Sequence, residues 1–275
     1  MQPTPTDPPA LTGAAGGGVP PAKPPAPEPA GSPAPAAGTG RGPAGTGRGP
    51  AGAGMTWDDY AVVWSGLHGG FDPRQASPLV RGWVRGAYRI GSWLARNRVG
   101  PLAVTLAGLA LCLAVPLAAL TGPPGLAAGA ILVLLAAAAD GLDGAVAVIT
   151  GRITRTGFVY DSVADRIGEI AWLAAFWVAG VPGWLTVCAG AASWLHEYVR
   201  ARATAAGMPD IGVVTVGERP TRVAVTITGC VLAALAALIV PTWTVPVLIV
   251  AVTVWLTLQL IGLAQLTRAV RAALR

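Results

Sequence analysis

Four aspartates fall within 26 residues of a chain otherwise poor in charge: Asp140, Asp143, Asp161 and Asp165, in the stretch AAAADGLDGAVAVITGRITRTGFVYDSVADRIGEI. Spacings of three and four place each pair on one face of a helix. Gly151, between the pairs, allows a helical hairpin that would bring them together. Four carboxylates so gathered in a low dielectric repel one another, so either some hold protons or cations hold the group. Arg152, Arg155 and Arg166 are close enough in sequence to supply part of that charge. A carboxylate-only cluster nonetheless suits hard divalent ions better. The plain alternative is a set of helix caps and ion pairs; the cost of ionised groups within a bilayer favours function.

The elements that must position these residues are membrane helices. Of 275 residues, 53% are hydrophobic and 12% charged, about half the charged share of an ordinary soluble domain. That composition argues against a soluble enzyme. The net charge of +6 is almost wholly arginine, yet the arginines sit at the ends of apolar segments, which points away from nucleic acid. Six apolar stretches follow Arg98, near Gly100–Leu120, Leu126–Val148, Ile167–Val181, Trp184–Ala205, Val223–Val240 and Val245–Leu266. Most approach the ~20 residues needed to span a bilayer, and the short third one is expected to begin near Phe158. The connections TGPPG, AGVPG and VPTWTVP carry no Lys or Arg, whereas the others hold them all. Positive-inside asymmetry therefore places both termini, and the aspartate edge, in the cytoplasm of a multi-pass inner-membrane protein.

The expected fold is thus an all-α integral membrane protein of six transmembrane helices, residues 99–275. Before it, 55–98 form a linker and a juxtamembrane amphipathic helix, in which Arg81, Arg85 and Arg89 make a basic face and aromatics fill the others, as suits an anionic leaflet. Residues 1–54 are a tail, 39 of them Pro, Gly or Ala, with GTGRGPA repeated in tandem; such a segment cannot offset its ordering entropy and is expected to be disordered. Met55, the first residue of ordinary composition, is a candidate translation start. Cys112, Cys188 and Cys230 lie singly in apolar runs and read as buried thiols rather than a zinc site or a disulfide framework.

The pattern D-x2-D-G-x2-A-R-x8-G-x3-D-x3-D resembles that of the CDP-alcohol phosphatidyltransferase family. It is met here by Asp140, Asp143, Gly144, Ala147, Gly157, Asp161 and Asp165, with Val148 in place of the arginine. The resemblance covers roughly residues 95–272. It implies transfer of a phosphatidyl group from CDP-diacylglycerol to a small polar alcohol, with release of CMP. It also implies two Mg²⁺ or Mn²⁺ ions held by Asp140, Asp143, Asp161 and Asp165, the last doubling as base for the acceptor hydroxyl, and assembly as a homodimer. Gly144, Ala147, Thr154 and Gly157 would line the nucleotide site, and Arg152, one turn beyond Val148, is the nearest replacement for the missing arginine.

On the acceptor side, YVRAR, ERPTR and QLTR place Arg200, Arg202, Arg219 and Arg268 at the same edge as the aspartates. These stretches resemble members that use phosphorylated acceptors, such as inositol phosphate or glycerol 3-phosphate; guanidinium groups suit phosphate. Ordinary cytoplasmic topology charge is the alternative for each. His196–Glu197 reads as a structural polar pair. Three competing functions are an intramembrane prenyltransferase, whose Asp-rich motifs lie far apart on different helix pairs, a cation transporter, which would often show duplicated halves, and a non-catalytic relative.

Overall fold

The computed structural model describes residues 54–208 and 214–275, and these form helices joined by short connections, with no strand among the described residues. The expected tail lies outside the described residues except for Gly54. Two helices come first: α1 (Trp57–Leu67), started by a Thr56/Asp59 capping box, and α2 (Pro78–Arg96), started by Ser77 and Pro78. Six further helices follow: α3 (Pro101–Ala119), α4 (Pro123–Thr150), α5 (Arg155–Val178), α6 (Gly183–Ala205), α7 (Arg219–Ile239) and α8 (Thr244–Ala273). They coincide with the six apolar stretches, but α5, α7 and α8 run beyond them at their charged ends.

Four of the six are long and apolar enough to cross a membrane: α3, α4, α7, and α8 with the 3-10 turn Pro241–Trp243 that precedes it. At 24 and 23 residues, α5 and α6 are each about 35 Å long, so length is not what sets them apart. They carry Asp161, Asp165, Arg166, Glu169, His196, Glu197 and Arg200, and these side chains are buried or half-buried against other helices.

Small residues let the helices approach closely. The buried stripe of α3, Val104, Gly108, Cys112, Val115 and Ala119, recurs every three or four residues and packs on α4 and α5. A Cβ on Gly168 would lie 2.9 Å from Cys112 Sγ, and one on Gly108 3.2 Å from Ala139 Cβ. The main core gathers Trp172, Phe176, Leu185, Leu248 and Trp255, with Trp255 Nε1 donating to Ser193 Oγ at 2.9 Å. α2 lies against α4 along Val84 and Gly91, leaving Trp83, Ile90 and Trp93 more than half or half exposed.

The α7–α8 crossing is equally tight, for a Cβ on Gly229 would come 2.7 Å from Ala251 Cβ. Gly229→Val is expected to lower stability by about 1–3 kcal/mol through overpacking, and Ala251→Gly to restore part of it. Thermal unfolding of the detergent-solubilised variants measures both.

Candidate active site

The aspartates owe their convergence to one local device. α4 ends at Gly151, which takes the left-handed conformation (φ 65°, ψ 22°) that a glycine adopts without strain. Thr154 then opens α5, its hydroxyl accepting from Gly157 N–H at 3.0 Å. The chain reverses in the four residues 151–154, so the last turns of α4 lie beside the first turns of α5. Carboxylate oxygens of Asp140, Asp161 and Asp165 lie within 4.8 Å of one another. Asp143 lines the same recess but is turned toward α3, where Thr105 Oγ1 donates to its Oδ2 at 2.6 Å.

The carboxylates that meet in this recess are hard oxygen donors, the donor set that Mg²⁺ and Mn²⁺ prefer. One guanidinium answers four carboxylates there: Arg219 Nη1 donates to Asp140 Oδ1 at 2.5 Å and also to Asp165 Oδ1. Arg166 stands 4.0 Å from Asp165 and bonds elsewhere. The residues present therefore fit divalent ions in chemistry and leave negative charge to be balanced.

A second cavity, of about 320 Å³ and open to solvent, lies beside the first. Its walls carry Gly144, Ala147, Arg152, Thr154 and Gly157, and it shares Thr105, Asp143 and Asp161 with the acidic recess. A Cβ on Gly144 would meet nothing within 4 Å; its smallness answers no packing need and keeps open the space beside Asp143. Val148 faces the other way, buried with Tyr60, Val84 and Ala145 under α1 and α2. Arg152 thus lies at the cavity and Val148 does not.

The four acceptor-side arginines separate. Arg219 joins the aspartates. Arg200 pairs with Glu218, whose Oε1 also accepts from Thr215 N–H and Oγ1–H at 3.0 Å. Arg202 and Arg268 are exposed and make no ion pair among the described residues. His196 is buried, with Nε2 2.9 Å from Thr215 Oγ1, and ties α6 to the loop before α7, as a structural polar residue would.

Behind the aspartates lies a group that sequence reasoning missed. Arg222, fully buried, donates from Nη1 to both oxygens of Glu169 at 2.7 Å and from Nη2 to Glu197 Oε1 at 2.5 Å. Arg166 closes the ring, 3.0 Å from Glu169 and 3.3 Å from Glu197. Two cations and two anions balance, joining α5, α6 and α7 in a largely buried setting. The signal was present: Glu169 is one turn beyond Asp165, and Arg222 one turn beyond Arg219, each in an apolar stretch where a lone charge is untenable.

Residues 98–260 match the family model described as CDP-alcohol phosphatidyltransferase. The chain is 36% identical over 188 residues to phosphatidylinositol phosphate synthase of Mycolicibacterium smegmatis, covering 65% of this chain and 80% of that protein. It is 31% identical over 139 residues to archaetidylinositol phosphate synthase of Aeropyrum pernix, covering 50% and 70%. Among solved structures, it resembles crystal structures of Mycobacterium tuberculosis phosphatidylinositol phosphate synthase, one with CDP-DAG bound and one in complex with manganese and citrate. Both superpose with a TM-score of 0.57 at 28% identity, over 68% of this chain and 94% and 90% of those chains.

Removing one member of the buried ring strands an opposite charge, and Arg222→Met is expected to cost about 3–5 kcal/mol. Adding Glu169→Leu leaves Arg166 and Glu197 paired, and should recover much of the loss in a thermal melt; a double variant no more stable than Arg222→Met would show that the ring is not a charge-balanced unit.

Proposed function

The chain belongs to the CDP-alcohol phosphatidyltransferase family, and on that premise we propose that it transfers the phosphatidyl group of CDP-diacylglycerol to a phosphorylated alcohol, inositol phosphate before glycerol 3-phosphate, releasing CMP. The observation that carries this reading is the meeting of three hairpin carboxylates within 4.8 Å, beside a cavity walled by the motif's small residues. Similarity to synthases named for archaetidylinositol phosphate and phosphatidylinositol phosphate supports inositol phosphate as the acceptor.

Asp140, Asp143, Asp161 and Asp165 would hold two divalent ions, Mg²⁺ or Mn²⁺. Bound there, such ions polarise the phosphoryl group and neutralise charge on the leaving nucleotide. Gly144 and Ala147 admit the nucleotide close to α4. Arg152, with Thr154 and Gly157, closes the cavity's far wall and offers a guanidinium to the donor's diphosphate. Asp165 takes the proton of the acceptor hydroxyl as that oxygen attacks the phosphatidyl phosphorus; the bond from phosphorus to the CMP phosphate oxygen breaks, and CMP leaves. Arg219, at Asp165, and Arg200, Arg202 and Arg268 are the proposed acceptor-phosphate contacts.

The same proposal sets the protein in the membrane. α3 to α8 are the six spans of residues 99–275; α5 and α6 cross because their charges face the bundle and not lipid. α2, with exposed Arg81, Arg85, Arg89 and Arg96 beside exposed Leu79, Trp83 and Trp93, lies at the cytoplasmic interface within the 55–98 segment, as basic and aromatic faces favour. The active edge and both termini are cytoplasmic, 1–54 is an appended tail, and the protein acts as a homodimer.

Purified protein given CDP-diacylglycerol, Mg²⁺ and a panel of alcohols should release CMP and form a phosphatidyl product with inositol phosphate. Release of pyrophosphate instead would point to prenyl transfer and overturn the reading. Asp161→Asn should abolish turnover while the protein still elutes and melts as folded.

Arg152→Ala should raise the KM for CDP-diacylglycerol about tenfold, the scale of one lost charge-assisted contact, and leave the acceptor KM little changed. Steady-state kinetics with each substrate varied in turn measures this.

A further inference from the structure

We propose that Arg219 is a built-in counter-cation of the aspartate cluster, which a divalent ion must displace from Asp140 and Asp165, so that metal loading and release of this guanidinium are one coupled event. The inference rests on the metal-dependent reading above and goes beyond it. A single nitrogen, Nη1, bridges Oδ1 of Asp140 on α4 and Oδ1 of Asp165 on α5. Bridging two carboxylates from two helices is the role a metal ion would take, and both carboxylates belong to the trio whose oxygens lie within 4.8 Å of one another. A guanidinium in contact with them and a hard cation bound to them compete for the same lone pairs, and they repel each other across a low dielectric.

The surroundings confine that displacement to the side chain. Arg222, one turn along α7, is held by Glu169 and Glu197 through three hydrogen bonds. The segment before α7 is pinned by α8: Gln259 Nε2 donates to Gly217 O at 3.0 Å, and Val216 N–H donates to Gln265 Oε1 at 3.0 Å. A Cβ on Gly262 would lie 2.7 Å from Gly217 N, so loop and helix are in backbone contact. The base of Arg219 cannot retreat, and its side chain must swing instead. The Nε of Arg219 is buried without a hydrogen-bond partner, so the present position leaves one donor unsatisfied and is held by charge. Once released, the guanidinium is free to meet an acceptor phosphate beside Asp165, which makes acceptor binding follow metal binding.

The test reads metal affinity directly. Mn²⁺ binding to full-length protein in detergent, without substrates, is measured by electron paramagnetic resonance for wild type, Arg219→Gln, Arg219→Lys and Asp161→Asn. Arg219→Gln is expected to bind Mn²⁺ about tenfold more tightly than wild type, because a competing charge is gone, although it turns over more slowly. Arg219→Lys keeps the charge and should bind as wild type does. Unchanged or weaker Mn²⁺ binding by Arg219→Gln overturns the proposal, and so does an equal gain in Arg219→Lys. Should Arg219→Gln fail to fold, Arg219→Ala takes its place under the same criterion. If Mn²⁺ binding by wild type is absent or insensitive to Asp161→Asn, the metal reading itself fails with it, whereas Asp161-dependent binding with no gain on removing Arg219 overturns this proposal alone.

Discussion

Like charges brought together at the edge of an apolar bundle are the constraint from which the rest of this structure follows. In water, Asp140, Asp161 and Asp165 could stand within 4.8 Å of one another at modest cost. Beside a hydrocarbon layer the same approach is expensive, so each neighbour of the cluster can be understood by what it does to that charge. Thr105 donates to Asp143 and holds it toward α3. Arg219 bridges Asp140 and Asp165. The Gly151 turn and the Thr154 cap make the reversal short enough for the pairs to meet at all. A hairpin even a few residues longer would let α5 slip along α4 and part them.

One turn deeper, charge is handled in the opposite manner. The ring of Arg166, Glu169, Glu197 and Arg222 is balanced, closed by hydrogen bonds and largely buried. Such rings rarely add stability over an apolar replacement; what this one provides is register, since α5, α6 and α7 can satisfy it in one mutual alignment. That alignment places Arg219 at the mouth of the acidic recess. The unbalanced cluster, which can bind cations, thus stands on a balanced one, in which each charge already has its partner.

α8 contributes no side chain to the acidic recess and still bears on it. Gln259, Gln265 and Gly262 hold the 214–218 segment from which α7 starts, and His196 and Glu218 tie the same segment to α6. The position of one guanidinium therefore depends on three helices, each joined to it through polar contacts in an apolar setting.

How much of this was legible follows from the range of each interaction. Helix period, the three- and four-residue spacings of the aspartates, the turn at Gly151 and the small residues at 144, 147 and 157 are local, and chain geometry alone converts them into shared faces; the helices and the acidic cluster could be read from them. The Val148 departure was legible as a difference, but its meaning was not: packing against Tyr60 and Val84 turns that position away from the cavity, and only the placement of α1 and α2 decides this. Likewise, four arginines at one edge looked equivalent, yet Arg219 alone meets the aspartates, 79 and 54 residues away from its partners in sequence. Composition and spacing determined that charges lie within an apolar bundle and which of them share a helix face. Which charge answers which was decided by the tertiary structure, because a contact between distant segments depends on how whole helices pack, and no local period encodes that.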